Sequence, residues 1–257
     1  MRPEPTRRAP STSRLIRFAL GVVGASALIV VFAGPRALRL PLAARAPVWV
    51  HRAFAFALGI RVEARGRRAH GGVLVAANHV SWLDIVALGA LAPMTFVAKS
   101  ELGATRAARA LLGLQGVVFV ERGRRTAIPA ANAAMADALR RGETVVLFAE
   151  ATTGDGNRIL PFHSAHFQAA LAAAATVQPA RISYPRRAGL PVTRAERPMI
   201  AWYGLMAFTP HLWAVLRGGH LTCRVGFAGP IAGTSRKALA RAAQQAVQAC
   251  AEAGSRT

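Results

Sequence analysis

The chain is predicted to fold as an α/β protein, a mixed, largely parallel sheet flanked by helices, preceded by N-terminal membrane-docking helices. Three observations support this. Beyond Arg61, short apolar runs of strand length alternate with Ala/Leu-rich runs of helix length, the order expected when strands are joined by crossover helices. Before Arg61, two apolar stretches follow one another behind an arginine-rich start. The length, 257 residues, suffices for one mid-sized domain with its own core plus appendages.

Residues 1–13 are rich in Pro, Arg, Ser and Thr without periodicity and read as a disordered basic arm suited to anionic headgroups. The uncharged run 18–35 has 18 residues, the lower limit for crossing a bilayer core. Arg17 and Arg36 flank it on both sides, so charge does not orient it. A signal peptide shares the basic start, but Val31-Phe32-Ala33-Gly34-Pro35 makes a poor cleavage site. The second stretch, 41–60, is interrupted by Arg45, His51 and Arg52 and reads as an interfacial helix. Residues 14–60 thus form a membrane-associated segment, 61–232 the main domain, and 233–257 a C-terminal helix and tail. Within the main domain, strands are expected at 72–77, 95–98, 117–120, 145–149 and 177–184, and helices at 83–91, 102–112, 126–141 and 165–174. Residues 198–203 and 221–228 are expected to add strands, and 235–253 a terminal helix.

A formal charge of +22, from 33 basic and 11 acidic residues, calls for a polyanionic partner. A hydrophobic content of 53% and a mean hydropathy of +0.30 are high for a nucleic-acid binder, and no zinc spacing or RNA-binding aromatic motif is present. An anionic membrane fits better. Only Lys99 and Lys237 are lysines, so arginine has replaced lysine almost throughout. Cys223 and Cys250 are too few and too far apart for a metal site or disulfide framework. No three of the histidines and carboxylates show metal-ligand spacing, and neither a Gly-x-Ser-x-Gly elbow nor a Gly-Lys-Ser/Thr phosphate loop occurs.

The most informative run is Ala77-Asn78-His79-Val80-Ser81-Trp82-Leu83-Asp84, where an apolar strand gives way to a helix. On an unbroken helix a five-residue offset leaves two side chains about 140° apart, and they would not meet. If His79 ends the strand and Ser81 caps the helix, the bend brings the Asp84 carboxylate onto the imidazole. The carboxylate then fixes the tautomer and frees the other ring nitrogen as a base. The same residues also read as an ordinary capping-box helix start. A second run, 116–123, is an apolar strand ending in Glu121, Arg122 and Gly123, where an arginine can fork onto a phosphate or remain a solvated loop residue. A third, 145–153, ends a buried strand in Glu150, followed by Ala151, Thr152 and Thr153. Beyond it, residues 155–158 suggest a polar turn in which Arg158 offers a second anion contact.

Taken together, these runs resemble the motifs of the glycerolipid acyltransferases, over roughly residues 61–230. His79-x4-Asp84 is similar to the first motif, and 116–122 to the second, with Arg122 at the phosphate-binding position. Residues 148–152 resemble the third, usually Phe-Pro-Glu-Gly-Thr, with Ala149 for the proline and Ala151 for the glycine. Alanine takes a left-handed conformation less readily than glycine. Lys99 matches a lysine beside the phosphate site, and Pro179 the proline of a fourth motif. Residues 154–165 and the later aromatic run 202–213 resemble a bacterial branch that includes lyso-ornithine-lipid acyltransferases.

The resemblance implies a glycerol-3-phosphate acyltransferase-like fold with His79 and Asp84 catalytic and Lys99, Arg122, Glu150, Thr152 and Arg158 binding substrate. It implies 1-acyl-sn-glycerol-3-phosphate O-acyltransferase activity, or alternatively lyso-ornithine-lipid O-acyltransferase activity. The acyl donor would be an acyl-carrier protein or coenzyme A thioester, with neither metal nor cofactor. The expected location is the cytoplasmic face of the inner membrane, as a single-span or monotopic protein. From another class, a non-catalytic anionic-membrane-binding protein would need the arm and apolar helices but neither His79 nor Asp84.

Overall fold

The computed structural model describes residues 9–38, 40–99, 117–120 and 127–254. Helix α1 (Thr12–Ala37) carries the first apolar run and begins two residues inside the predicted basic arm. Among the described residues, its stretch Thr12–Pro35 alone is long and apolar enough to cross a membrane by length and composition. A 3-10 turn (Pro41–Arg45) leads into α2 (Ala46–Leu58), which accommodates Pro47 in its first turn, where no backbone N–H is needed. It stops at Gly59, left-handed at φ 71°, whose N–H reaches back to the last carbonyls. The two helices run antiparallel in close contact. A Cβ at Gly21 would lie 2.5 Å from Ala57 Cβ, and Phe32 and Trp49 pair with ring centroids 5.2 Å apart.

The strands are β1 (Ile60–Arg65), β2 (Val73–Ala77), β3 (Thr95–Lys99), β4 (Val117–Val120), β5 (Thr144–Phe148), β6 (Thr176–Arg187), β7 (Leu190–Pro191) and β8 (Leu221–Phe227). They form one sheet in the order β1-β8-β6-β2-β5-β3-β4, with β7 paired to β6. The five strands from β6 to β4 are parallel; β8 runs antiparallel to β6, and β1 parallel to β8. The other helices are α3 (Leu83–Leu91), α4 (Ala127–Arg140), α5 (Gln168–Ala172), α6 (Phe208–Arg217) and α7 (Arg236–Gly254).

Period-two alternation along the strands divides the core between two faces. Val73, Val75 and Ala77 of β2 join Ile182 and Tyr184 of β6 beneath Leu58 of α2, Leu83 and Leu88 of α3 and Leu216 of α6. Leu74 and Ala76 of β2 point the other way, to Met135 and Leu139 of α4 and Leu239 and Val247 of α7. The chain leaves β2 on one face toward β3, and leaves β5, its neighbour, on the other toward β6. Such a reversal between adjacent parallel strands opens a crevice at their C-terminal ends, where ligands bind in open α/β sheets. Because Ala77 pairs with Ala180, β6 continues past the end of β2 and forms a wall behind that crevice.

Several expectations are corrected. Residues 198–203 form no strand: a 3-10 turn (Arg197–Met199) is followed by irregular chain. The helix expected at 165–174 is a 3-10 turn (Ser164–Phe167) running into the short α5. Neither β1 nor α6 was anticipated. The expected helix 102–112 lies outside the described residues.

Candidate active site

Immediately after β2 the chain is held in place by its neighbours. The Asn78 side chain donates to Ile182 O (3.0 Å) and accepts from Ile182 N–H (2.8 Å), docking the turn onto the overhang of β6. The His79 N–H donates to Glu150 Oε2 (2.8 Å), and the His79 carbonyl accepts from Gly154 N–H (2.8 Å). The Val80 carbonyl accepts from Trp202 N–H (2.9 Å). Every backbone group thus used lies off the ladder, so these bonds hold the bend.

Asp84, in the first turn of α3, lies fully buried beneath this bend. Its Oδ2 accepts from His79 Nδ1 (2.9 Å), Val80 N–H (2.7 Å) and Ser81 N–H (3.0 Å), and its Oδ1 from the Tyr184 hydroxyl (2.7 Å). Four donors converge on one carboxylate and compensate its removal from water. Ser81 does not cap the helix as expected. Its Oγ is buried without a partner, and the position before α3 is Trp82 without a side-chain cap. The Asp84 carboxylate instead reaches back to the Val80 and Ser81 N–H groups ahead of the helix.

With Nδ1 donating to a carboxylate, a neutral His79 carries its lone pair on Nε2. Nε2 has no hydrogen-bond partner among the described residues, and the side chain is 17% exposed, which leaves it accessible. The ring stacks on Phe148 at the end of β5, with centroids 3.9 Å apart and planes inclined by 14°. Orientation is thus set by the hydrogen bond at one edge and the stack on one face, an arrangement able to remove a proton from a hydroxyl held at Nε2.

Glu150 is 3% exposed and joins two segments, accepting from His79 N–H through Oε2 and Leu160 N–H (2.7 Å) through Oε1. Burial raises its pKa, and the two backbone donors act against that. Both oxygens are occupied by backbone, so Glu150 shapes the site. Ala151 follows at φ 56°, in the left-handed conformation that alanine adopts at a cost. Thr152 and Arg158 lie at the exposed mouth, and Lys99 closes β3. Arg122 lies outside the described residues. Tyr184, Asn78 and Phe148 belong to the site as well: Asn78 and Phe148 lie within the His79 and Glu150 runs, and Tyr184 lies in neither. The Tyr184–Asp84 contact spans 100 positions, beyond any spacing rule. His211 is 2% exposed and accepts from Trp82 Nε1 (3.0 Å), a packing role. Among the described residues no group of three His, Cys, Asp or Glu side chains is arranged to hold a metal.

Fold and site together define an α/β protein with a carboxylate-oriented imidazole in its sheet-end crevice. Residues 59–183 match the family model described as Acyltransferase. The lyso-ornithine lipid O-acyltransferase of Brucella abortus (strain 2308) is 40% identical over 80% of this chain and 81% of that protein. The 1-acyl-sn-glycerol-3-phosphate acyltransferase of Neisseria meningitidis serogroup B is 39% identical over 71% of this chain and 70% of that protein. The crystal structure of the 1-acyl-sn-glycerophosphate (LPA) acyltransferase PlsC from Thermotoga maritima shares the fold, with a TM-score of 0.63 at 19% identity, covering 94% of this chain and 96% of that one. The chain belongs to the acyltransferase family. It is an O-acyltransferase enzyme.

Proposed function

We propose that this enzyme moves a fatty acyl group from a thioester to the free hydroxyl of a lysolipid, with His79 as general base and Asp84 as its orienting carboxylate. The observation that carries this is the 2.9 Å contact between His79 Nδ1 and Asp84 Oδ2, with Nε2 left open beside the crevice. Nε2 takes the hydroxyl proton as the oxygen bonds to the thioester carbonyl carbon. The carbon–sulfur bond then breaks, and the departing thiolate takes the proton back from the imidazolium. No covalent acyl-enzyme is needed. Positioned base catalysis supplies about 10²–10⁴-fold, and orientation of the two substrates supplies much of the rest.

The acceptor to which the motifs point is 1-acyl-sn-glycerol-3-phosphate, giving phosphatidate, with Arg122 and Lys99 at its phosphate. Lyso-ornithine lipid is the second acceptor, favoured by relatives of that name in Brucella abortus and, at 38% identity over 81% of this chain, Pseudomonas aeruginosa. Its headgroup carboxylate suits the same bidentate guanidinium. The donor is an acyl-carrier protein or coenzyme A thioester. Helix α1 anchors the enzyme: Leu20, Val23, Val30 and Val31 are 61–75% exposed, an apolar surface that lipid would cover. We place the enzyme at the cytoplasmic face of the inner membrane, where thioester donors are made.

The test offers purified full-length protein both lysolipids with each donor and identifies the ester by mass. A diacyl product from either acceptor, lost in His79→Ala, supports the reading. Inactivity with every pair contradicts it.

A further inference from the structure

Beside the imidazole site lies a cleft of ≈ 300 Å³ walled by Arg158, Arg181, Arg197 and Arg224. One carboxylate, Asp155, lines it with them, and that carboxylate already accepts from the backbone N–H (2.9 Å) and the side chain (2.6 Å) of Asn157. Arg224 also pairs with Glu63 (3.4 Å), and Arg197 donates to Gly156 O. Even so, the Nε groups of Arg197 and Arg224 are buried with no hydrogen-bond partner. Burial holds the Arg181 guanidinium below its ordinary pKa; the charge of Arg197 acts in the same direction, and Cys250 and Glu150 act against it.

An excess of cations in one concavity is unfavourable for the protein alone. A multi-oxygen anion would relieve it, supplying both the charge and the acceptors. The cleft's place is equally informative. Asn78 and Val80, the chain neighbours of His79, form part of its wall, together with Ile182 and Tyr184 from the overhang of β6. It therefore lies on the β6–β8 flank of His79, whereas Lys99 closes β3 on the opposite flank, where the acceptor phosphate is proposed to sit. Direct transfer needs two substrates to converge on one imidazole, and both carry an anionic group.

From the arginine cleft and its position we infer a second anion site, which takes the phosphate of the thioester donor's pantetheine arm and so aligns the thioester with His79. This rests on the acyl-transfer reading above, and it assigns Arg158, Arg181, Arg197 and Arg224 to the donor. One phosphate, held from several sides, is common to acyl-carrier protein and coenzyme A, so the site would serve either.

The test is calorimetric titration of the full-length protein in detergent micelles with 4′-phosphopantetheine and with pantetheine, which differ only in the phosphate. The wild type is expected to bind the phosphorylated compound about tenfold or more tightly, the ratio a charge-assisted contact gives. Arg158→Gln, at an exposed position, and Arg181→Gln should each diminish that preference. Arg181→Lys, which keeps the charge, should preserve part of it, and melting curves check that each variant folds. Equal affinity for the two compounds, or a preference unchanged in both glutamine variants, overturns the inference. Displacement of 4′-phosphopantetheine by lysophosphatidate overturns the assignment to the donor. Because binding is read without turnover, failure here is distinct from failure of the acyl-transfer reading, which ester formation by the wild type reports separately.

Discussion

Replacing Asp84 by Asn isolates the charge beside His79 from the geometry that holds it. The carboxylate Oδ2 accepts three N–H donors, from His79, Val80 and Ser81, and Oδ1 accepts the Tyr184 hydroxyl. An asparagine can put its amide oxygen where Oδ2 was, keeping all three donors, and its NH₂ toward Tyr184, whose hydroxyl rotates to accept. Bend and tautomer are kept, and the negative charge is lost. With unit charges about 4 Å apart and an effective dielectric near 20, that charge stabilises an imidazolium by about 4 kcal/mol. At about 1.4 kcal/mol per decade, kcat should fall by about 10³. The assay is initial ester formation in vesicles with both substrates varied, so that kcat and KM separate, beside far-UV circular dichroism and melting of the variant. A folded variant whose kcat stays within about tenfold of wild type, or one that loses only KM, refutes the role of the carboxylate.

Three other perturbations follow from the same structure. Tyr184→Phe removes the donor to Asp84 Oδ1 in a fully buried carboxylate, so it should cost about 1.5–3 kcal/mol and lower Tm by several degrees, with a smaller rate loss than Asp84→Asn; an unchanged Tm would contradict this. Ala151→Gly relieves a left-handed alanine, worth about 1–2 kcal/mol, against about 0.5–1 kcal/mol of added chain entropy, so thermal melting should show Tm unchanged or a few degrees higher, and a clear drop would contradict it. His51 of α2 is held by burial at a pKa of about 4, against 6.5 when unfolded, so the unfolded chain binds the extra proton first. Stability is therefore full above pH 6.5 and declines toward pH 4, by up to about 3 kcal/mol, and in His51→Phe that part of the decline should disappear from melts taken across the interval.

The parallel core was legible because β2 and β5 are near-continuous apolar runs, as strands buried on both faces must be. Helix α3 matched the expected bounds for a related reason: Leu83, Val86, Ala87 and Leu88 form a buried face that begins at the bend. Strand β1 was hidden because Ile60 had been absorbed into the preceding apolar stretch, although Ile60, Val62 and Ala64 alternate with charged residues as an edge strand should. Helix α6 was missed because Pro210 and His211 interrupt its first turn, where a proline is tolerated. The site divides along the same line. His79 and Asp84 are five residues apart, and a local bend explains their contact. Tyr184 and Phe148 join them only through the pairing of β6 and β5 with β2, which places Ala180 and Phe148 level with Ala77. The shared strand ends assemble those contacts.

The most direct measurement is the rate of ester formation by wild type and His79→Ala, compared in the same vesicles with the same lysolipid and thioester. With Nε2 removed, the rate should fall by about 10²-fold or more while vesicle binding and the melting profile persist. A rate within about threefold of wild type, in a variant that still folds and binds vesicles, would contradict the assignment of His79 as the base.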